Sequence, residues 1–493
     1  MDAIALNRGT LATIKPPVHT PGFDVAQVTP GIVHLGFGGF HRAHLARYTH
    51  NLMERDPSAL AWGIVGAGLL PGDLRMRDSL HPQDNLYTLV ERSGADSVAT
   101  VIGSVCDVIF AGEDSTALLA CIDDPRVRIV SLTVTENGYC LNRATNRLDP
   151  AHPQIRHDVA HPDTPKSAIG ILVAAWRRRR DAGQPAFTAL SCDNIQHNGQ
   201  VLRGAVHDLA TLLDPSLAAW IAEHASFPST MVDRITPVTL PEDIEELRTQ
   251  FGIVDRWPVF CEPFIQWVIE DRFVQGRPAW EQVGAQFVDD VGPYEFMKLR
   301  LLNASHLAVA GLGQLCGYRL VDEAMADPRI AGFMAALMQR ETGQTLRPVP
   351  GVDLDAYKAS LIARFANPKI KDTVQRVNTD APLATLVDSA RDRLAAGASI
   401  DLLALAIAAW LRRVRGEDEH GAAIEIRHPM ADTLREKAVA GGDDPRPLLS
   451  IAPLFGDLGE EPRFVQPVAD LLAALYRDGA RKTLSEAATH FGF

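Results

Sequence analysis

Over the first 290 residues, short apolar runs rich in β-branched side chains alternate with stretches whose apolar residues recur at helical spacing. The pattern predicts strands over residues 32–35, 62–65, 127–134 and 187–191, and helices over 42–54 and 167–180. Strands separated by helices imply an α/β architecture, a mostly parallel sheet with helices on both faces. Beyond residue 290 the texture changes. Segments 295–315, 331–341, 354–365, 386–395, 400–414 and 464–476 all carry helical spacing, and β-branched runs become scarce. The chain is therefore expected to divide near residues 291–293 into an α/β domain, residues 1–290, and a mostly α-helical C-terminal domain, residues 291–493.

Composition narrows the class. A formal charge of −13 argues against nucleic acid or an anionic membrane as the main partner, because both need a basic face. The longest apolar run, residues 402–411, spans about 15 Å as a helix, half a bilayer core, and is expected to be a buried helix. The N-terminus lacks a basic start followed by an apolar run, so no signal peptide is expected. The cysteines, Cys106, Cys121, Cys140, Cys192, Cys261 and Cys316, are scattered without a CxxC pair, which favours reduced thiols in a cytoplasmic protein.

The segment IVHLGFGGF runs an apolar strand into Gly36, Gly38 and Gly39, with a helix expected from His41. Glycines at a strand-to-helix turn let backbone N–H groups approach a pyrophosphate. Read alone, this partial fingerprint fits a tight βα turn equally well, because His41 stands where a third glycine would be. An acid beyond the second strand can bind the adenosine ribose, and Asp73 is the candidate; an exposed turn acid is the alternative. Glu136 and Asn137 follow the third strand at its carboxyl end, where either a cofactor-side role or a turn role is open.

The stretch EFMKLRLLNASHLA carries four polar groups that share one arc. On an α-helix Asn303, His306 and Glu295 lie about 140°, 80° and 60° from Lys298. A solvated helix face is the plain explanation. The chemical one is that alcohol oxidation needs a base, which a buried lysine supplies, and donors for the developing alkoxide, which asparagine amides supply. There is no HExxH motif or Cys/His ligand grouping, so no metal is expected.

Lys298-x4-Asn303-x2-His306 resembles the signature of the polyol-specific long-chain dehydrogenases, the mannitol dehydrogenase family. FPSTMVDRITP around Val232, Asp233 and Arg234, GFGGFHR from Gly36 to Arg42, SCDN ending at Asn194, RFANP at 364–368 and Arg376 also fit. The resemblance implies an N-terminal Rossmann-type dinucleotide-binding domain and a helical catalytic domain. It implies that Lys298 is the general base, that Asn194 and Asn303 hold the reacting oxygen, and that His306 and Arg376 bind substrate hydroxyls. Glu295 would gate a water path, and Asp233 and Arg234 would brace the site or serve structure alone. The cofactor turn would comprise Gly36, Phe37, Gly38, Gly39, Phe40, His41 and Arg42, with Asp73 and Glu136 beside it.

The implied cofactor is NAD. Family members often carry two acids at the selectivity position, whereas Gly72 precedes Asp73 here, which leaves NADP tolerance open. Whole-chain likeness favours interconversion of D-mannitol and D-fructose by a monomer. D-Arabinitol or another polyol, a fructuronate-type keto-sugar acid, or a non-catalytic nicotinamide-binding role are the competing readings. The run Arg177–Arg180 is read as helix-terminal cations rather than an anion patch. His41 and His44 are read as structural or cofactor-facing for want of a third metal ligand.

Overall fold

In the first unit of the chain, strands β1 (Pro30–Leu35), β2 (Gly63–Gly68), β3 (Val105–Phe110), β4 (Ile129–Leu132) and β5 (Thr188–Ser191) form one sheet. They pair in the order β3-β2-β1-β4-β5, every neighbouring pair parallel. These features come from a computed structural model that describes residues 3–94, 96–142, 145–379 and 382–493. The winding reverses between β1 and β4, as in a Rossmann-type fold, and such a reversal leaves a crevice at the carboxyl ends of those strands. The chain divides into two compact units, Met1–Gly292 and Pro293–Phe493.

Burial on both faces explains why the strands read as continuous apolar runs. Ile32 and Val33 are adjacent on β1 and fully buried, yet they enter different cores. Ile32 belongs with Leu45, Tyr48, Ile64 and Trp267, and Val33 with Leu172, Trp176 and Leu202. The helix expected over 42–54 is two pieces, α1 (Gly39–Ala43) and α2 (Leu45–Arg55), broken at His44. The next predicted helix is α3 (Ala168–Asp181), whose first turn is capped by the Ser167 hydroxyl accepting from Gly170 N at 2.8 Å. The arginine run ends α3 and is spent on structure. Arg179 is buried and donates to the carbonyls of Ile122, Asp124, Val127 and Pro185, while Arg177, Arg178 and Arg180 pair with Asp163, Asp123 and Asp214.

Sequence reading missed β3 and two smaller three-stranded sheets, one of Tyr87–Arg92, Ser97–Ile102 and Val259–Cys261, the other of Thr230–Asp233, Gln266–Glu270 and Gln286–Val288. β3 carries Asp107 and two half-buried residues at its end, so its apolar run is interrupted.

The second unit is helical, with nothing beyond isolated bridges as strand pairing among its described residues. Its elements include α4 (Gly292–Lys298), α5 (Ala304–Leu315), α6 (Pro328–Arg340), α7 (Leu354–Phe365), α8 (Val374–Thr379), α9 (Ala384–Ala395), α10 (Asp401–Arg413) and α11 (Pro462–Asp478). The apolar run 402–411 is the body of α10, buried along its length and packed against α5 and α11. The N–H groups of its first turn have no acceptor within the helix, and Glu341 supplies one, its two carboxylate oxygens accepting from Leu402 N at 2.9 Å and Leu403 N at 2.7 Å.

Burial pushes the Glu341 carboxyl up to about 7. The native state thus keeps this proton over a range in which the unfolded chain, with an ordinary carboxyl, has lost it. Its contribution is fully present below the ordinary glutamate value and fades as pH rises through 7. Wild-type stability should fall by at most about 3 kcal/mol from this source between pH 4.5 and 7.5. Glu341→Gln should lack that decline. Urea unfolding of both proteins at pH 5 and pH 7.5 checks it, and parallel behaviour of the two would refute the assignment.

Candidate active site

β1 ends at Leu35, and the chain turns at Gly36 with φ of +84°, a conformation that side chains resist. Gly38 then caps α1. These two glycines line a cavity of 530 Å³ at the carboxyl ends of β1, β2 and β4. Leu69, Leu70 and Asp73 enter it after β2, and Thr133, Val134 and Thr135 after β4. Asp73 closes its own turn, with Oδ2 accepting from Leu69 N and Leu70 N, both at 2.9 Å.

The rest of the predicted turn lies elsewhere. Phe37 is buried, and only a glycine at position 66 leaves room for its ring, since a Cβ there would come within 2.4 Å of it. His41 is buried and stacked on His34, ring centroids 3.5 Å apart. Burial lowers the basicity of both imidazoles, His34 to about 3. Arg42 is buried, donates to the Trp257 carbonyl at 2.5 Å and accepts from Tyr87 Oη at its own carbonyl, 2.6 Å. Gly39 and Phe40 are half-buried, and Phe40 stacks on His44. His44 Nε2 meets the Gln266 carbonyl at 2.8 Å within the core. Glu136 is exposed in the short turn Glu136–Tyr139, whereas its neighbour Asn137 lines the cavity.

Asn194 stands exposed just past the carboxyl end of β5. Asp233 and Arg234 are buried at the end of strand Thr230–Asp233. Arg234 donates to the carbonyls of Glu262 (3.0 Å) and Ala43 (2.6 Å) and pairs with Glu91, so it ties three elements together as a brace. Sequence reading missed Lys166, which lines the cavity immediately before the Ser167 cap, and Asp193, which lies inside the SCDN segment. The signal for Asp193 in the sequence is an acid at the carboxyl end of a strand, inside a motif read only for its asparagine.

In the second unit, Glu295, Lys298, Asn303 and His306 are all buried, 5–8% exposed, which removes the solvated-face explanation for their arc. The predicted single helix is interrupted. Between α4 and α5, residues Leu299–Asn303 form a π-helical turn, with Ala304 N donating to the Leu299 carbonyl five residues back. In such a turn the residue five on, rather than four, comes round above its partner. Lys298 and Asn303 therefore lie closer in azimuth than the 140° of an uninterrupted α-helix. Arg300 anchors the turn from another side, donating to Ser389 Oγ and Asp392 Oδ2 of α9, each at 2.7 Å. The His306 ring lies 5.1 Å from that of Phe365 on α7. Arg376 on α8 is held by Asp372, with Nε donating at 2.5 Å. Among the described residues, no group of three or more His, Cys, Asp or Glu is placed to hold a metal ion, and no helix is long and apolar enough to cross a membrane.

Comparison with known proteins covers both units. Residues 30–282 match the family model of the mannitol dehydrogenase Rossmann domain, and residues 290–476 that of the mannitol dehydrogenase C-terminal domain. Mannitol 2-dehydrogenase from Pyricularia oryzae is 44% identical over 482 residues, 96% of each chain. The Aspergillus fumigatus enzyme of the same name is 44% identical over 96% of this chain and 95% of its own. Among solved structures, Pseudomonas fluorescens mannitol 2-dehydrogenase in ternary complex with NAD and D-mannitol matches with a TM-score of 0.88 and 42% identity, over 99% of this chain and 100% of that one. A D-sorbitol dehydrogenase in substrate-free form also gives 0.88, at 34% identity over 97% and 100%. With both of its units matched and its relatives aligned end to end, this chain belongs to the mannitol dehydrogenase family.

Proposed function

We propose that this protein is an NAD-dependent polyol dehydrogenase that interconverts D-mannitol and D-fructose. The observation that carries the reading is end-to-end similarity to mannitol 2-dehydrogenases, one of them solved with NAD and D-mannitol.

The first unit suits the cofactor. Gly36 and Gly38 offer bare backbone to the cavity at the strand ends, and both bonds made by Asp73 fall on Oδ2, leaving Oδ1 for a ribose hydroxyl. Bound NAD supplies the acceptor for the hydride. Lys298 takes the hydroxyl proton during oxidation and returns it during reduction; burial is the environment in which a lysine amine can do this near neutral pH. Asn303, five residues on across the π turn, donates its amide N–H to the oxygen as charge develops there. His306 orients a substrate hydroxyl, and Arg376, kept in place by Asp372, binds another. Glu295, one helical turn before Lys298, gates a water path that carries the lysine's proton. Asn194 is given the same role as Asn303 on the family motif alone. The six free cysteines favour a reducing compartment, and we assign the enzyme to the cytoplasm as a monomer, to be checked by sedimentation.

Lys298→Ala should lower kcat by roughly 10²–10⁴-fold, the usual worth of a positioned acid/base, while the Kd for NAD stays within about threefold. Near-normal turnover in that variant would refute the lysine mechanism. Initial rates with D-mannitol, D-sorbitol and D-arabinitol should rank D-mannitol first. The shared fold of the D-sorbitol dehydrogenase makes D-sorbitol the informative competitor, and a clear preference for it would overturn the substrate assignment. kcat/KM should favour NAD over NADP, and Asp73→Ala should narrow the gap. Equal use of both cofactors by the wild type would remove Asp73 from ribose recognition.

A further inference from the structure

The wall of the cavity after β4 is an unusual piece of chain. Thr133, Val134, Thr135, Asn137 and Gly138 line it, and Thr135 sits at φ +61°, ψ 170°. That region of backbone space is essentially reserved for glycine, and a β-branched residue stays there only when its surroundings hold it. One side chain does most of the holding. Asp193 Oδ1 accepts from Thr135 N at 2.7 Å, and Oδ2 accepts from Val134 N at 3.2 Å and from Tyr139 Oη at 2.8 Å. The carboxylate thus grips both ends of the loop. Its own position is fixed in turn. Tyr139 Oη also meets Ser191 Oγ at 2.6 Å, and Asn198, in the helix Asn198–Leu213, donates to the Asp193 carbonyl at 3.0 Å. Asp193 is buried and does not itself line the cavity.

We propose that Asp193 is a positioning residue for the cofactor: its carboxylate latches the loop Val134–Tyr139 into the shape that lines the binding cavity, and taking up a proton releases the latch. The inference rests on NAD occupying that cavity. Burial pushes the Asp193 carboxyl up to about 6, against the pull of the three donors. The titratable groups facing it are Tyr139 from the loop and Cys192 from its own segment. Burial and the Asp193 charge hold both well above their usual values, so neither changes charge near pH 6. Glu136 on the loop and His197 beyond β5 are exposed. The sign follows from the donors: Asp193 stays buried when the loop lets go, so losing three bonds that favour the ionised form raises its carboxyl further, a proton favours the released loop, and NAD affinity is full above pH 7 and falls as pH drops through 6.

NAD binding to the intact enzyme, followed by tryptophan fluorescence from pH 5 to pH 8, tests this without the pH dependence of the chemical step. Wild-type Kd should be flat above pH 7 and rise about tenfold by pH 5, as one proton competes with the latched form. Asp193→Asn should bind NAD roughly tenfold more weakly at pH 7.5, the cost of losing a charge-assisted acceptor, and should lose the low-pH rise. Tyr139→Phe removes a donor that favours the ionised carboxylate, so its low-pH rise should begin at higher pH than in the wild type. A flat wild-type profile, or Asp193→Asn with unchanged Kd, overturns the latch. If Asp193→Asn does not fold, Tyr139→Phe decides, and a rise that stays at the wild-type pH overturns it. A wild type that binds no NAD at any pH overturns the cofactor reading, and this inference with it.

Discussion

A backbone approach with no room for a side chain governs the first unit. A Cβ on Gly36 would sit 2.2 Å from the Thr133 carbonyl oxygen, so only glycine allows the ends of β1 and β4 to stay this close before their loops part. Thr133 Oγ1 then donates to the Gly36 carbonyl at 2.9 Å and meets His34 Nε2 at 2.8 Å, which locks the two strand ends together. Because the winding reverses at this point, one loop departs to each side and the cavity opens between them. The contact at Gly36, the turn closed by Asp73 and the loop gripped by Asp193 are successive consequences of one topology.

Several buried polar side chains in this unit tie segments of backbone together. Arg179 and Arg42 end on carbonyl oxygens, Arg234 on two carbonyls and the Glu91 carboxylate, and His34 on two hydroxyls. A buried cation without such partners would be costly, and Arg42, Arg179 and Arg234 each find theirs by joining elements. The same reasoning separates the motif GFGGFHR into two parts. Gly36 and Gly38 face the cavity, whereas Phe37, His41 and Arg42 support the turn from inside.

The second unit solves a different problem, that of presenting polar groups from a helix that is otherwise core. α5 is buried almost throughout, so its polar face has to be shielded yet defined. The π turn before it alters which residues align, and Arg300 ties that turn to α9. Departures from α geometry within a helix tend to mark functional positions, and this one falls between Lys298 and Asn303.

By itself the sequence determined the fold class, an α/β part followed by a mostly helical one, and it drew attention to the polar arc on residues 295–306, because apolar periodicity and motif spacing are local properties. Segment 354–365 was legible to the residue. Only the tertiary structure decided that the polar arc is buried, that a π turn interrupts it, that β3 completes the sheet and that Asp193 reaches back to Val134 and Thr135. Each of these depends on hydrogen bonds and packing between segments far apart in the chain, or on a choice of helical hydrogen bond that residue spacing alone does not encode.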